Sequence, residues 1–183
     1  PQDGAAYSSR GLAKGGLGDH QEAIADFNKA IAIDPQLADA YMSRGLVKSV
    51  LKDYQEAIAD FNKAITIDPQ DGAAYSSRGL AKGGLGDYQG EIADYSKAIE
   101  IDPQDADAYS NRGLVKLFLK DYQGAIADYN KAIEINPQHV SAYYNRGNAK
   151  GMSGDNYGAC IDMEKAAELG DEDAAKLFRK NCR

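Results

Sequence analysis

Apolar residues follow a helical period in two stretches of the first 34 residues. In residues 21–33 they recur at the i, i+3, i+4, i+7, i+8 spacing of an amphipathic helix, at Ala23, Ile24, Phe27, Ala30 and Ile31. Residues 4–17 form a second helical stretch, which carries Tyr7, Gly11 and Leu17. A Gly-Asp turn separates the stretches, and a proline ends the second, because the residue before proline is steered out of the α region. The pattern predicts a pair of helices.

This pattern returns every 34 residues along the 183-residue chain. The five prolines all lie at that interval, at Pro1, Pro35, Pro69, Pro103 and Pro137. A fixed period of this size indicates a repeat architecture. Residues 1–34 and 69–102 are identical at 28 of 34 positions, which suggests a copied 68-residue unit. We predict repeats at about 1–34, 35–68, 69–102, 103–136 and 137–170, and a capping helix at 171–183.

The repeats resemble the tetratricopeptide repeat (TPR) family, whose pattern is aromatic, Gly, Gly-Asp-Tyr, Ala, Phe/Tyr, Ala, Pro. In the second repeat the matching residues are Tyr41, Gly45, Asp53-Tyr54, Ala57, Phe61, Ala64 and Pro69. The resemblance covers residues 1–169. It implies an all-α fold, a right-handed α-solenoid of about five helix-turn-helix repeats plus the capping helix, in a single domain over 1–183. Gly170 is expected to end the fifth repeat in a left-handed conformation, and Asp171 or one of its neighbours to cap the last helix.

Every repeat departs from the family pattern by carrying Arg and Lys four residues apart on its first helix, as at Arg10 and Lys14. Like charges at this spacing repel unless something intervenes. An aspartate on the second helix accompanies each arginine, so we predict an intra-repeat ladder of bidentate ion pairs. The pairs are Arg10–Asp26, Arg44–Asp60, Arg78–Asp94, Arg112–Asp128 and Arg146–Asp162. The alternative is a basic stripe facing a ligand.

Two smaller departures leave alternatives open. Glu91 occupies a slot that is alanine in the other repeats, where a carboxylate costs packing and desolvation. A local helix adjustment or a functional role would explain it. Glycine pairs at 15–16 and 83–84 lie inside helices, at a cost of about 1 kcal/mol each against alanine. They either open the inner surface and permit flexing, or are tolerated losses.

We find no catalytic chemistry in the sequence. The two histidines lack partners at metal-ligand or triad spacing, and no glycine run fits a phosphate-binding loop. We therefore predict a protein that is not an enzyme, with no cofactor and no metal. Cys160 falls on the fifth repeat's second helix and Cys182 on the capping helix that should cover it, and whether they are bonded stays open.

The net charge of −7 argues against a nucleic-acid surface, which requires a basic stripe. No apolar run approaches the length of a membrane span. The chain begins at Pro1 without a leader, and we interpret it as a fragment that lacks its native amino terminus. The compartment stays open, with the cytoplasm slightly favoured.

The family resemblance implies that the first helices line a concave groove that holds a partner peptide. Carried over position by position, the groove residues are Asp39, Met42, Leu46, Asp107, Asn111, Leu114, Leu117, Phe118, Tyr144, Asn145, Asn148 and Met152. None of them is basic, so the carboxylate clamp of chaperone-binding members is expected to be absent. The asparagines resemble part of a ladder that holds peptide backbone, or are simply solvated. Charge complementarity favours a neutral or basic partner.

These observations predict a non-catalytic protein–protein interaction scaffold that binds a partner segment in its groove. One alternative is self-association through the uncapped amino-terminal end, a heterologous contact that can propagate. Another is a regulatory domain of a longer enzyme. The partner's identity does not follow from the fold.

Overall fold

The computed structural model describes residues 3–182, which form eleven α-helices and no β-strand. The predicted repeat proline Pro1 lies outside the described residues. The chain divides into two compact units, residues 1–101 (unit 1) and 102–183 (unit 2). Unit 1 contains α1 (Gly4–Leu17), α2 (His20–Ile33), α3 (Ala38–Val50), α4 (Tyr54–Ile67), α5 (Gly72–Gly84) and α6 (Tyr88–Ile101). Unit 2 contains α7 (Ala106–Phe118), α8 (Tyr122–Ile135), α9 (Val140–Met152), α10 (Asn156–Glu168) and α11 (Glu172–Asn181).

Each unit is built from helical hairpins that pack on one another. The helices α1, α3, α5, α7 and α9 each pair with the helix that follows, and the second helix of a hairpin packs on the next helix within its unit. Glycine permits the close approach inside a hairpin, because a Cβ on Gly45 would lie 2.7 Å from the Phe61 ring. Phe61 is itself fully buried. Close packing of the two helices at this position therefore requires a glycine.

A buried aspartate on the second helix of each hairpin forms ion pairs with an arginine and a lysine of the first helix. We call this group of Asp, Arg and Lys the charge cluster. The Arg Nη2 to Asp Oδ1 distance is 2.5–2.7 Å in all five repeats, and the Lys Nζ to Asp Oδ2 distance is 2.7–2.9 Å. Each guanidinium also lies over the tyrosine ring three residues before it, as Arg44 over Tyr41 at 5.6 Å. The predicted ladder is confirmed, and the ligand-facing basic stripe is wrong.

The charge clusters also link consecutive repeats. Arg44 Nη1 donates to the Asn28 carboxamide oxygen of the preceding hairpin at 2.5 Å. The same bond joins Arg78 to Asn62 and Arg146 to Asn130, at 2.7 and 2.6 Å. In the first repeat the hydrogen bond from Arg10 holds the pKa of Asp26 well below its usual range. The Asp26 carboxylate therefore stays charged while it ties α1 to α2.

The end of the described chain is capped as the sequence predicts. Gly170 has a φ of 101°, in the left-handed region that favours glycine. Asp171 then accepts the Ala174 N–H at 2.8 Å, as the N-cap of α11. Behind this cap, Ala174 packs with Met163 and Ala166 in a buried cluster. The capping helix therefore completes the apolar core of the last repeat.

Glu91 is buried within α6, where the residue is 7% exposed. The carboxylate occupies space opposite Gly83 on α5, where a Cβ would collide with it. In repeats one and five the same pairs are Gly15 with Ala23 and Gly151 with Ala159. Burial raises the pKa of Glu91 from 4.5 to about 7, against a smaller lowering by a hydrogen bond with Tyr95. One of the unexplained glycines thus makes room for the unexpected acid.

We expect Asp60→Asn to destabilise unit 1 by about 3 kcal/mol, because Arg44 and Lys48 would be left without their counter-charge in a mostly buried site. Urea denaturation followed by circular dichroism measures the effect. Asp26→Asn is the matched control and should cost less, since the Arg10 side chain is already 54% exposed. Equal losses of unfolding free energy in the two variants would contradict the idea that burial of the cations sets the cost.

We expect the stability of unit 1 to fall as pH rises from about 4.5 to about 7, because folded Glu91 keeps its proton over a range in which the unfolded chain releases it. Above that window the loss of unfolding free energy should level off at about 3 kcal/mol. Glu91→Ala, which restores the residue of the other repeats, should remove this component of the pH dependence in urea titrations. A variant that keeps the same slope would contradict the assignment.

Candidate functional site

The residues predicted to line a groove lie on the first helices of their hairpins. In unit 1, α3 carries Asp39, Met42 and Leu46, and in unit 2 the remaining nine lie on α7 and α9. Seven of the twelve are exposed: Asp39, Leu46, Asp107, Asn111, Leu114, Phe118 and Met152. The half-buried Met42, Leu117 and Tyr144 also pack against buried core residues. These three therefore support the hairpins as well as any surface beside them.

Unit 2 contains a pocket of about 390 Å³ between α9, α10 and α11. Asn148 and Met152, two of the predicted groove residues, line it together with residues of the last two helices. The full lining is Gly147, Asn148, Gly151, Met152, Asn156, Ala159, Cys160, Met163, Leu177, Asn181 and Cys182. The glycines and Ala159 leave the space that a larger side chain would fill. The volume suits a single amino-acid side chain or a short stretch of backbone rather than a large cofactor.

The polar groups of this pocket are carboxamides. Asn148, Asn156 and Asn181 line it, and within residues 3–182 their side chains have no hydrogen-bond partner. A carboxamide donates to a carbonyl and accepts from an N–H, which matches the peptide group. Met152, Met163 and Leu177 supply the apolar part of the wall. The pocket can therefore hold an apolar side chain while its amides bind the adjoining backbone.

A disulfide bond closes one side of the pocket. Cys160 on α10 is bonded to Cys182, the residue after α11, with a Cα–Cα distance of 5.7 Å. Both cysteines line the pocket. Sequence reasoning placed the two close together and left their bonding open. The bond links the end of the capping helix covalently to α10, and so holds one wall of the pocket in place.

The exposed acids of the predicted groove are in different surroundings. The Asp107 carboxylate lies 3.2 Å from Nε2 of His139, which is itself mostly buried. Asp39, on α3 of unit 1, is exposed.

No cluster of three metal-ligating side chains occurs in residues 3–182. No helix among these residues is long and apolar enough to span a membrane.

The predicted groove residues include only Asn148 and Met152 of this lining, and they omit four side chains that form its polar and apolar walls: Asn156, Met163, Leu177 and Asn181. The groove positions were carried over from the first helices alone, whereas these four lie on the second helix of the last repeat and on the cap. The signal available was the expected proximity of the two cysteines, which placed the capping helix beside Cys160. Residues near Cys160 on α10 and near Cys182 on α11 are then also expected to lie close together, and this would have indicated the pocket.

Hairpins of two helices that repeat and close with a capping helix define a class of protein, the all-α repeat scaffolds. The chain belongs to the tetratricopeptide repeat family: a model described as TPR repeat matches residues 11–49, 84–117 and 119–154, and one described as tetratricopeptide repeat matches residues 38–71. The family and the all-α solenoid fold predicted from the sequence are confirmed. A comparison of the sequence with curated proteins found no significant match.

Solved structures show the same fold. The chain is 27% identical to the MamA protein, with a TM-score of 0.82 and 94% of each chain covered. It is 23% identical to YrrB, described as a TPR protein with an unusual peptide-binding site, with a TM-score of 0.78 and coverage of 97% and 92%. PilF of Pseudomonas aeruginosa is 21% identical, with a TM-score of 0.83 and coverage of 96% and 84%. These likenesses show that the chain has the fold of these proteins.

We expect reduction of the Cys160–Cys182 bond to release α11 from α10. The bond closes a loop of 22 residues, and a disulfide of this span contributes about 3 kcal/mol to the free energy of unfolding. Hydrogen exchange should quicken in α11 and at Met163 and Ala166 in unit 2, with unit 1 unchanged. Cys160→Ser in the oxidised protein should reproduce the pattern. Unaltered protection of α11 after reduction would show that apolar packing alone holds the cap.

Proposed function

We propose that the chain is a non-catalytic scaffold that binds a segment of a partner protein, and that the pocket of unit 2 is its main contact. The observation that carries the proposal is the pocket itself, which combines an apolar wall with three carboxamides that have no partner within residues 3–182. An apolar side chain of the partner enters between Met152, Met163 and Leu177. The asparagines bind the backbone on either side of it.

The surface beside the pocket supports the same ligand. Leu114 and Phe118 are exposed on α7, which contacts α9, the helix that carries Asn148 and Met152. Exposed apolar side chains grouped in this way mark protein-binding surfaces. Asn111 and Asn145 add carboxamides on these helices, and Tyr144 an aromatic ring. In unit 1 we also propose Asp39, Met42 and Leu46, on α3, as binding residues.

The charge of the surface selects the partner. The proposed binding residues include two aspartates and no lysine or arginine, and the whole chain carries a net charge of −7. The lysines and arginines of the first helices are engaged by the buried aspartates of the charge clusters. A neutral or basic segment is therefore favoured over an acidic one, a nucleic acid or a chaperone carboxylate tail. YrrB offers a precedent for a peptide-binding site on this fold.

A short random-peptide library, displayed and selected on the intact oxidised protein, tests the proposal. We expect selected peptides to share an apolar residue in a neutral or basic context. Met152→Glu should weaken their binding by about tenfold or more, because it places a charge in the apolar wall. Leu114→Glu/Phe118→Glu should also weaken it. Affinities are measured by fluorescence anisotropy with synthetic peptides.

The matched control is Tyr157→Glu, which alters an exposed aromatic residue of unit 2 outside the pocket lining. It should leave the affinity within about twofold of the parent value. Peptides that bind Met152→Glu as tightly as the parent protein, or a selection dominated by acidic peptides, would contradict the proposal.

A further inference from the structure

Apolar packing holds the first part of the capping helix α11. Asp171 accepts the Ala174 N–H at the start of the helix, and Ala174 is buried in a cluster with residues of α10. Leu177 and Phe178 pack on the same cluster about one turn later. This part of the helix therefore contacts α10 independently of the cysteines.

The last turn of α11 is held differently. Residues 179–181 are exposed, and within residues 3–182 their side chains make no hydrogen bond or ion pair. Directly after them, Cys182 is bonded to Cys160 on α10. Among the described residues, the disulfide is thus the link that holds this turn against the rest of unit 2.

The pocket of unit 2 has one wall that depends on this link. Its α9 and α10 walls belong to one hairpin, whose helices are joined by the Arg146–Asp162 ion pair at 2.6 Å. The α11 wall consists of Leu177, Asn181 and Cys182. Leu177 packs on the apolar cluster, whereas Asn181 and Cys182 belong to the turn that the disulfide holds. Breaking the bond therefore frees one side of the pocket and one of its carboxamides, while the hairpin keeps its ion pair.

The disulfide is also placed where a reductant can reach it. Cys160 and Cys182 are both half-buried, and both line the pocket. Thiol–disulfide exchange requires that a thiolate reach one of the two sulfur atoms. A small thiol that enters the empty pocket meets the bond, whereas a ligand that fills the pocket covers it.

We propose that the Cys160–Cys182 bond is a redox switch for the pocket: the oxidised chain binds the partner segment, and the reduced chain releases it. After reduction the last turn of α11 loses its link, so Asn181 and Cys182 leave the wall. A ligand then has to order this turn again at an entropic cost, and its affinity falls. Because the switch acts on the peptide-binding pocket, it rests on the proposed function.

A dithiol reductant makes the change by two exchange steps. Its first thiolate attacks Sγ of Cys182, the bond between the two protein sulfurs breaks, and Cys160 leaves as a thiolate that takes up a proton. Its second thiolate attacks the mixed disulfide and releases Cys182, which is protonated in turn. The reductant becomes a disulfide, and the protein gains two electrons and two protons.

Thermodynamic linkage makes the switch reciprocal. If the oxidised chain binds a peptide more tightly than the reduced chain does, the bound peptide stabilises the disulfide against reduction by the same factor. A bond that stabilised the fold without shaping the pocket would show no such dependence on the ligand. Peptide affinity and the redox equilibrium therefore test the switch from both sides.

The test uses cysteine-free synthetic peptides taken from the selection on the oxidised protein. We expect their affinity, measured by fluorescence anisotropy, to fall by about tenfold or more when the protein is reduced with dithiothreitol. At saturating peptide, the ratio of reduced to oxidised dithiothreitol that reduces half of the protein should rise by the same factor, as measured by thiol alkylation and mass spectrometry. The matched control, Cys160→Ser/Cys182→Ser, should bind as weakly as the reduced parent and should not respond to dithiothreitol.

Equal affinity before and after reduction, or a half-reduction ratio that saturating peptide leaves unchanged, would overturn the switch while the proposed function stands. So would loss of hydrogen-exchange protection throughout α7, α8 and α9 on reduction, because binding would then be lost by unfolding of unit 2. Peptides that bind Met152→Glu as tightly as the parent protein would instead contradict the proposed function, and the switch would fall with it.

Discussion

The buried aspartate of each repeat is the constraint on which the rest of the structure depends. A carboxylate removed from water is costly unless it is paired and hydrogen-bonded, and here each one receives an arginine fork and a lysine from the facing helix. That requirement fixes which face of the first helix contacts the second helix, and it fixes the position of one helix relative to the other along their axes. The arginine then reaches back to an asparagine of the preceding hairpin, as Arg44 does to Asn28. Pairing inside a repeat and stacking between repeats are thus set by the same side chain.

This arrangement also decides what the surface can bind. The first helices are rich in Arg and Lys, yet those cations turn towards the aspartates, as Lys116 and Lys150 do in unit 2. What the helices offer to a ligand is therefore leucine, phenylalanine, methionine and asparagine. On this basis we propose that the surface recognises apolar side chains and backbone rather than a carboxylate or phosphate.

The parts that followed from the sequence are those that every repeat carries. Helix pairs, their glycine contacts and the Arg–Asp ladder recur five times, so one physical interpretation is checked at five places in the chain. Features that occur once were not predictable in the same way. The burial of Glu91 depends on Gly83, eight residues earlier and on another helix, and no period connects the two. The pocket likewise depends on the capping helix, which has no counterpart in the repeats.

Identical sequence does not imply an identical role in such a protein, as α1 and α5 show. Their side chains have the same chemistry, but α5 is closed by α4 whereas the same face of α1 is open among the described residues. The role of a face is therefore decided by whether a neighbour covers it. The charge cluster makes the difference measurable: Arg78 is completed by an asparagine, and Arg10 keeps one donor without a partner within residues 3–182. In an array built by copying a hairpin, identical side chains therefore differ in exposure and in hydrogen-bond partners according to their place along the array.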